Sequence, residues 1–536
     1  MDSFRFRLIA ALVATLALAG CQAKVTRSPC PKGQVCVEYG NNAEAASLDP
    51  QKANLVDEAT IISDLIVGLT TDAPDGSPVP ALATGWETSA DGLVWTFHLR
   101  DAVWSDGVPV TADDFVYAYR RILDPQTASI YAYLLYILKN GQALNEGKAS
   151  PDALGVRALD AHTLQLTLEH PAPYLPEIAK HQSFFPVPKH AVEKWGDAWI
   201  QPAHFVGDGP YSLVEWRLGD YIRVQKNPRY FDADKVCIDR INYYPTPDAV
   251  MAERRVLRGE LDVNTMFQSN RIGRMRQTMP DTVRTGTILA TAYLSFNTHD
   301  VAAFRDIRVR RALSEAIDRD FLTTKLLRAG QKPAYAFVPP GVANYPTGAQ
   351  VFWAKKTLAQ RQADARRLLA QAGYGPDHPL RFEVKIPNSP DTVLINQAIQ
   401  ADWASIGVQA RLVQNEGQIA FVSYRNRDFD IGAMSWYADF NDPVTFLALM
   451  KSDTGAQNYG DYKNPIYDAL LNASDREPNA AKRGEILAQA EQIMLNDEAM
   501  IPLYYLVGRN LVSPKITGWV DNVENFHRAR WLCVKK

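Results

Sequence analysis

Apolar and polar positions along this chain follow two different periods, and the two interleave from one end to the other. "LVWTFHLR" (93–100) and "TLQLTLE" (163–169) change character at almost every residue, as a strand with one buried face does. "TADDFVYAYRRILDP" (111–125) instead spaces Phe115, Tyr119 and Ile122 by three or four. Thr111, with Asp114 three residues later, opens that helix as a capping box, and Asp124-Pro125 stops it. "IRVRRALSEAIDRDFL" (307–322) predicts a further helix, with Val309, Leu313, Ala316 and Ile317 buried and its arginines on the solvated face. "ADARRLLAQAGYG" (363–375) predicts a helix closed by a left-handed Gly373. "AKRGEILAQAEQIMLNDEAM" (481–500) reads as a long helix and "IPLYYLVGRNLVS" (501–513) as the strand after it. The class is mixed α/β, with neither a repeat of solenoid period nor a low-complexity run.

One segment carries more charge than its local structure needs. In "SWYADFNDP" (435–443), Asn441 or Asp442 can cap the following apolar helix, with Pro443 at its first position. Asp439 is surplus to that task.

Composition narrows the field. The 536 residues are 46% hydrophobic and 22% charged, enough for two or three cores. A net charge of −3 gives no electrostatic case for a nucleic-acid partner or an anionic membrane surface. Eleven Trp, 23 Tyr and 20 Phe suit ligand pockets as well as cores. Residues 1–20 pair Arg5 and Arg7 with a short apolar run, too short to span a bilayer, and are expected to be a cleaved signal. "LAGC" resembles a bacterial lipobox, which implies lipidation of Cys21 and anchoring of an exported body to a membrane. The other four cysteines allow three pairings. The short Cys30/Cys36 spacing suggests a small loop, leaving Cys237 with Cys533. No metalloprotease, nucleophile-elbow or phosphate-loop motif is present, and no Cys/His spacing suits zinc. The expectation is a protein that is not an enzyme and uses no cofactor or metal.

"WTFHLRDAVWSDGVPVTADDFVYAYRRILDP" (95–125) resembles the signature of extracellular solute-binding proteins of the peptide-binding class that serve ABC importers. The similarity continues in order through "SLDP" (47–50), "FFPVPKHAVEKWG", "GPYSLVEW", "NPRYF", "GELD", "DIRVRRALSEAIDR" and "IPLYYLVGRNLV". This resemblance implies two α/β lobes joined by a hinge, plus an extra domain. One discontinuous lobe would take residues 22–66, 191–289 and 507–536, the extra domain 67–190, and the second lobe 290–506. Cys237 and Cys533 would then share a lobe.

The same resemblance places Asp439, three residues after Trp436, where the family holds a peptide's α-ammonium. Ser435, Trp436 and Tyr437 on one side, and "ANLVD" (53–57) with Asn54 and Val56 on the other, would pair as strands with the peptide backbone. Tyr131 and Tyr504 are expected pocket walls, and Arg425 and Arg427 expected carboxylate contacts. The implied partners are short peptides and a membrane permease–ATPase complex, with the protein acting as a monomer. Several positions depart from the family pattern. Tyr437 and Ala290 replace a cysteine pair, Ala433 and Tyr424 replace basic residues, Gly417 replaces a tryptophan, and Asn54 replaces an acid. These leave room for a modified cell-wall peptide, or for a non-peptide solute such as a nickel chelate, haem or an opine. A secreted peptidase is the alternative from another class.

Overall fold

The computed structural model describes residues 29–535 except 347, so the expected signal segment and Cys21 lie outside the described residues. Eleven strands form one sheet that runs through both halves of the molecule. Strands Tyr211–Arg217, Tyr221–Lys226, Arg240–Tyr244, Cys36–Gly40 and Val263–Thr265 make one half, while Ile431–Tyr437, Arg381–Pro387 and Gln409–Asn415 make the other. The long antiparallel strands Val283–Phe296 and Met500–Val512 join them, and the short strand Lys332–Pro333 pairs with the latter. Their register holds from Val283/Leu511 to Thr287/Val507 and resumes at Thr291/Tyr505. At the break, Leu289 turns its N–H to the carbonyl of Val523 at 2.7 Å and accepts from the N–H of Ala438 at 2.8 Å. A break in the ladder bends both strands.

The extra domain is built on a four-stranded antiparallel sheet, Ala83–Thr88, Val94–Leu99, Thr163–Thr167 and Val156–Asp160, paired in the order 83–88, 94–99, 163–167, 156–160. Helix Ala112–Leu123 packs Phe115, Tyr119 and Ile122 onto it, all without solvent exposure. The capping box is present, with the Thr111 N–H donating to Asp114 Oδ2 at 2.8 Å. This domain shares a continuous apolar core with the first lobe. The second lobe has its own cores, around Leu313, Phe382 and Trp403 and around Phe337, Trp353 and Phe446.

Helix Leu358–Gln371 ends as expected, with Gly373 at φ +91°. Helix Ala480–Asn496 is followed by the strand starting at Met500. The helix expected over 307–322 is broken. Ile307–Glu315 stops, Asp318 accepts the N–H of Phe321, and a new segment starts at Arg319. The arginines there are not all on a solvated face. Arg319 is fully buried and donates to the carbonyls of Pro502 (2.8 Å) and Ser314 (2.9 Å). Arg310 donates to the carbonyls of Glu498 and Phe304. The break leaves the Ser314 carbonyl at a helix end without an intrahelical partner, and the Arg319 guanidinium satisfies it. Disulfides join Cys30 to Cys36 and Cys237 to Cys533.

Candidate functional site

Strand Ile431–Tyr437 pairs with Val283–Phe296 along its whole length, from Ile431/Phe296 to Tyr437/Ala290. Its other edge pairs with Arg381–Pro387 only at Ile431 and Gly432. Ser435, Trp436 and Tyr437 therefore present a sheet edge without a neighbouring strand, and unpaired edge groups are a template for another extended chain. Tyr437 keeps 44% of its surface exposed, as a residue bordering an opening does.

That edge borders a cavity of about 340 Å³ between the lobes. Asn54, Val56, Tyr131, Arg425, Ser435, Trp436, Tyr437 and Asp439 all line it, so most of the residues singled out from the sequence meet there. Two do not. Tyr504 lies within the joining strand, paired with Ala292 and packed against the second-lobe core. Arg427 sits in a left-handed turn, its guanidinium held by Asp461 at 3.2 Å and its carbonyl by Asn297. Arg427 does not line the cavity, whereas Arg425 ends helix Gly417–Arg425 at its wall.

The segment "ANLVD" is not a strand. Val56 and Asp57 already belong to helix Val56–Leu65. Buried Glu58 explains this, because its Oε2 accepts the N–H groups of Asn54 (2.7 Å) and Leu55 (3.0 Å) and turns the backbone into a helix start.

The three polar residues after Tyr437 divide as the sequence suggests only in part. Asp442 does accept the N–H of Val444 at 3.0 Å, next to helix Val444–Leu447, but it is also buried against Arg483 at 2.7 Å. Asn441 accepts the N–H of Ala343 and so ties down a distant loop. Pro443, with helical angles, stands one residue before the helix. Asp439 has neither job. Its Oδ2 accepts the hydroxyl of Tyr133 at 2.7 Å, and among the described residues no cation pairs with it. Burial raises its pKa to about 6, offset in part by the Tyr133 hydroxyl.

Tyr133 and His181 were not singled out from the sequence. Tyr133 lies two residues beyond Tyr131 in an aromatic-rich run, and His181 packs on the Tyr131 ring at 4.8 Å. Burial lowers the His181 pKa to about 3, so it adds no positive charge to the cavity near neutral pH. Tyr133, Trp436, Asp439 and Gln457 also line a second cavity of about 760 Å³, which puts Asp439 in the partition between the two. A third, of about 320 Å³, shares Leu55, Val56, Tyr437, Ala438 and Phe526 with the first. The positions where the family pattern has two cysteines, Tyr437 and Ala290, face each other in the strand pair. Tyr424 is buried, its hydroxyl donating to the Ala433 carbonyl at 3.0 Å, so neither of these replaced basic positions offers a charge.

A two-lobed α/β body with a hinge, an extra domain and a ligand-sized cleft between the lobes defines an extracellular solute-binding protein. The family model described as "Bacterial extracellular solute-binding proteins, family 5 Middle" matches residues 77–458, and the chain belongs to that family. The periplasmic oligopeptide-binding protein OppA of Salmonella typhimurium is 37% identical, over 98% of each chain. The structure of the Escherichia coli murein tripeptide binding protein MppA superposes with a TM-score of 0.86 at 34% identity, covering 94% of this chain and 99% of that one. Haemophilus influenzae OppA in complex with RPPGFSPFR gives 0.84 at 30% identity, covering 94% and 99%. Among the described residues no helix is long and apolar enough to cross a membrane.

Proposed function

We propose that this protein captures short peptides between its lobes by their amino end and delivers them to a membrane permease–ATPase complex, without acting on them chemically. The observation that carries this is Asp439, a carboxylate that no cation among the described residues pairs with, beside an open strand edge in the interlobe cavity. An α-amino group has a pKa near 8 and is largely cationic at neutral pH. Enclosing it is costly unless a carboxylate meets it, and the carboxylate has the same need. The edge Ser435–Tyr437 supplies backbone groups that every peptide can pair with, which suits a ligand class defined by backbone and terminus. Arg425 stands in the same cavity for a ligand carboxylate. The lobes divide at 289/290 and 506/507, where the ladder breaks, and closing over a bridging ligand is stabilised by contacts made only in the closed state. Cys21 carries the lipid anchor of a monomeric body working outside the cytoplasm.

Calorimetry tests the anchor directly. Truncating one partner of a buried charge pair costs about 2–5 kcal/mol, and each ~1.4 kcal/mol is tenfold in affinity. Asp439→Ala should weaken binding of a tripeptide such as Ala-Ala-Ala at least tenfold, and N-acetylating the peptide should do the same to the wild type. Full affinity in both cases removes the amino-end assignment.

A further inference from the structure

The 320 Å³ cavity on the other side of Val56 and Tyr437 has a chemistry of its own. Its walls are apolar where Met266, Ile288, Leu289, Val507 and Phe526 line it. Three charged groups also reach it, and two are satisfied. Arg509 is paired with Asp391 at 2.7 Å, and Glu524 with Lys180 at 2.5 Å. The third is Asp57. Its Oδ2 accepts the Asn42 side-chain amide and the Ala43 N–H, both at 3.3 Å, and among the described residues no cation pairs with it. It is not needed to start its helix, because Glu58 already takes the N–H groups at that end. A second observation is independent of Asp57. Asn510, only 2% exposed, also lines the cavity, and among the described residues its buried Oδ1 has no hydrogen-bond partner, although its Nδ2 donates to Asn525 at 2.7 Å.

An unpaired carboxylate and an unpaired amide oxygen are both acceptors, and the group that satisfies both is a cation with several N–H donors. The apolar walls suit the methylenes that carry such a group. We infer that this cavity is a subsite for a basic side chain of the ligand, lysine, ornithine or arginine, held by Asp57 and Asn510. The inference rests on the peptide-binding function proposed above. A peptide laid along Ser435–Tyr437 turns successive side chains to opposite faces, and the two cavities flank that edge with Tyr437 and Ala438 common to both.

The test is calorimetry on the full chain with Ala-Ala-Ala, Lys-Ala-Ala, Ala-Lys-Ala and Ala-Ala-Lys, each lysine peptide compared with its norleucine counterpart. Norleucine keeps the methylenes and drops the charge, so an apolar pocket alone favours norleucine. At least one lysine peptide is expected to bind ten times more tightly than its norleucine partner. Asp57→Asn, which retains an oxygen for the Asn42 and Ala43 donors, should bring that ratio within threefold. A wild-type protein with no lysine advantage overturns the subsite without recourse to any variant, and so does an advantage that survives Asp57→Asn. If none of the peptides binds, the peptide function itself fails; if they bind with no lysine advantage, only the subsite does.

Discussion

In the proposed function Asp439 trades stability for binding. Burial raises its folded-state pKa to about 6, above the ~3.9 of an unfolded aspartate. A raised carboxyl pKa means the folded protein holds the proton more tightly than the unfolded chain. Its contribution is therefore most favourable below pH ~4 and is lost as pH rises through about 6. Asp439→Asn should raise the melting temperature of the ligand-free protein at pH 7.5 and leave it nearly unchanged at pH 4, as scanning calorimetry would show. Binding has the opposite dependence. A ligand ammonium needs the carboxylate, so affinity should fall by up to tenfold per pH unit below pH 6 in the wild type. In Asp439→Asn that slope should be absent. A wild-type affinity that is flat from pH 7 to 5 contradicts the assignment. The surplus charge of this residue was legible in the sequence, because one helix start needs one cap and the segment holds three polar groups. Tyr133 was not, since it lies 306 positions away and only the fold brings its hydroxyl to Asp439. Asp57 and Asn510 were invisible for the same reason.

At the level of elements, the periods of the sequence identified strands and helices but not their edges or interruptions. The strand Val94–Leu99 and the helix Ala112–Leu123 followed from patterning and capping alone. The five residues 53–57 are too few to distinguish an extended run from a helix start, and buried Glu58 decides the matter. The break after Glu315 was hidden because its apolar stripe continues across it. That the edge of Ser435–Tyr437 is open depends on where its neighbour stops pairing, a property of two elements and not of one. Edge pairing predicts a specific pattern in the ligand. Backbone N–H groups of an added strand point alternately toward and away from the template. Scanning N-methylation along a tetrapeptide should therefore weaken binding severalfold at alternate positions, each lost bond contributing about 1 kcal/mol. A uniform loss, or none, in competition assays contradicts edge pairing.

On the scale of the whole molecule, local patterning gave the class, and the resemblance to solute-binding proteins supplied the lobes. No local signal reveals that one sheet crosses from lobe to lobe, because the joining strands are far apart in the chain and meet only in the fold. The same topology sets what the two disulfides do. Cys30–Cys36 closes a separation of 6 residues, and Cys237–Cys533 one of 296, a loop that contains all of residues 290–506. If a cross-link acts by restricting the unfolded chain, the two differ by about 3 kcal/mol through the logarithm of loop length. Replacing Cys237 and Cys533 by serine should therefore destabilise the protein by clearly more than replacing Cys30 and Cys36, in denaturant titrations under non-reducing conditions. The loss should also be local. The long bridge ties two separate segments of the first lobe, so hydrogen exchange should accelerate in Cys36–Gly40 and Arg240–Tyr244, which pair in parallel there. Exchange in Arg381–Pro387, packed in the second-lobe core, should not change. Neither bridge lines the ligand cavities, so peptide affinity should survive both replacements at temperatures where the variants stay folded. Equal destabilisation by the two replacements, or exchange that quickens in both lobes alike, would show that the long bridge does not act on the first lobe as a separate unit.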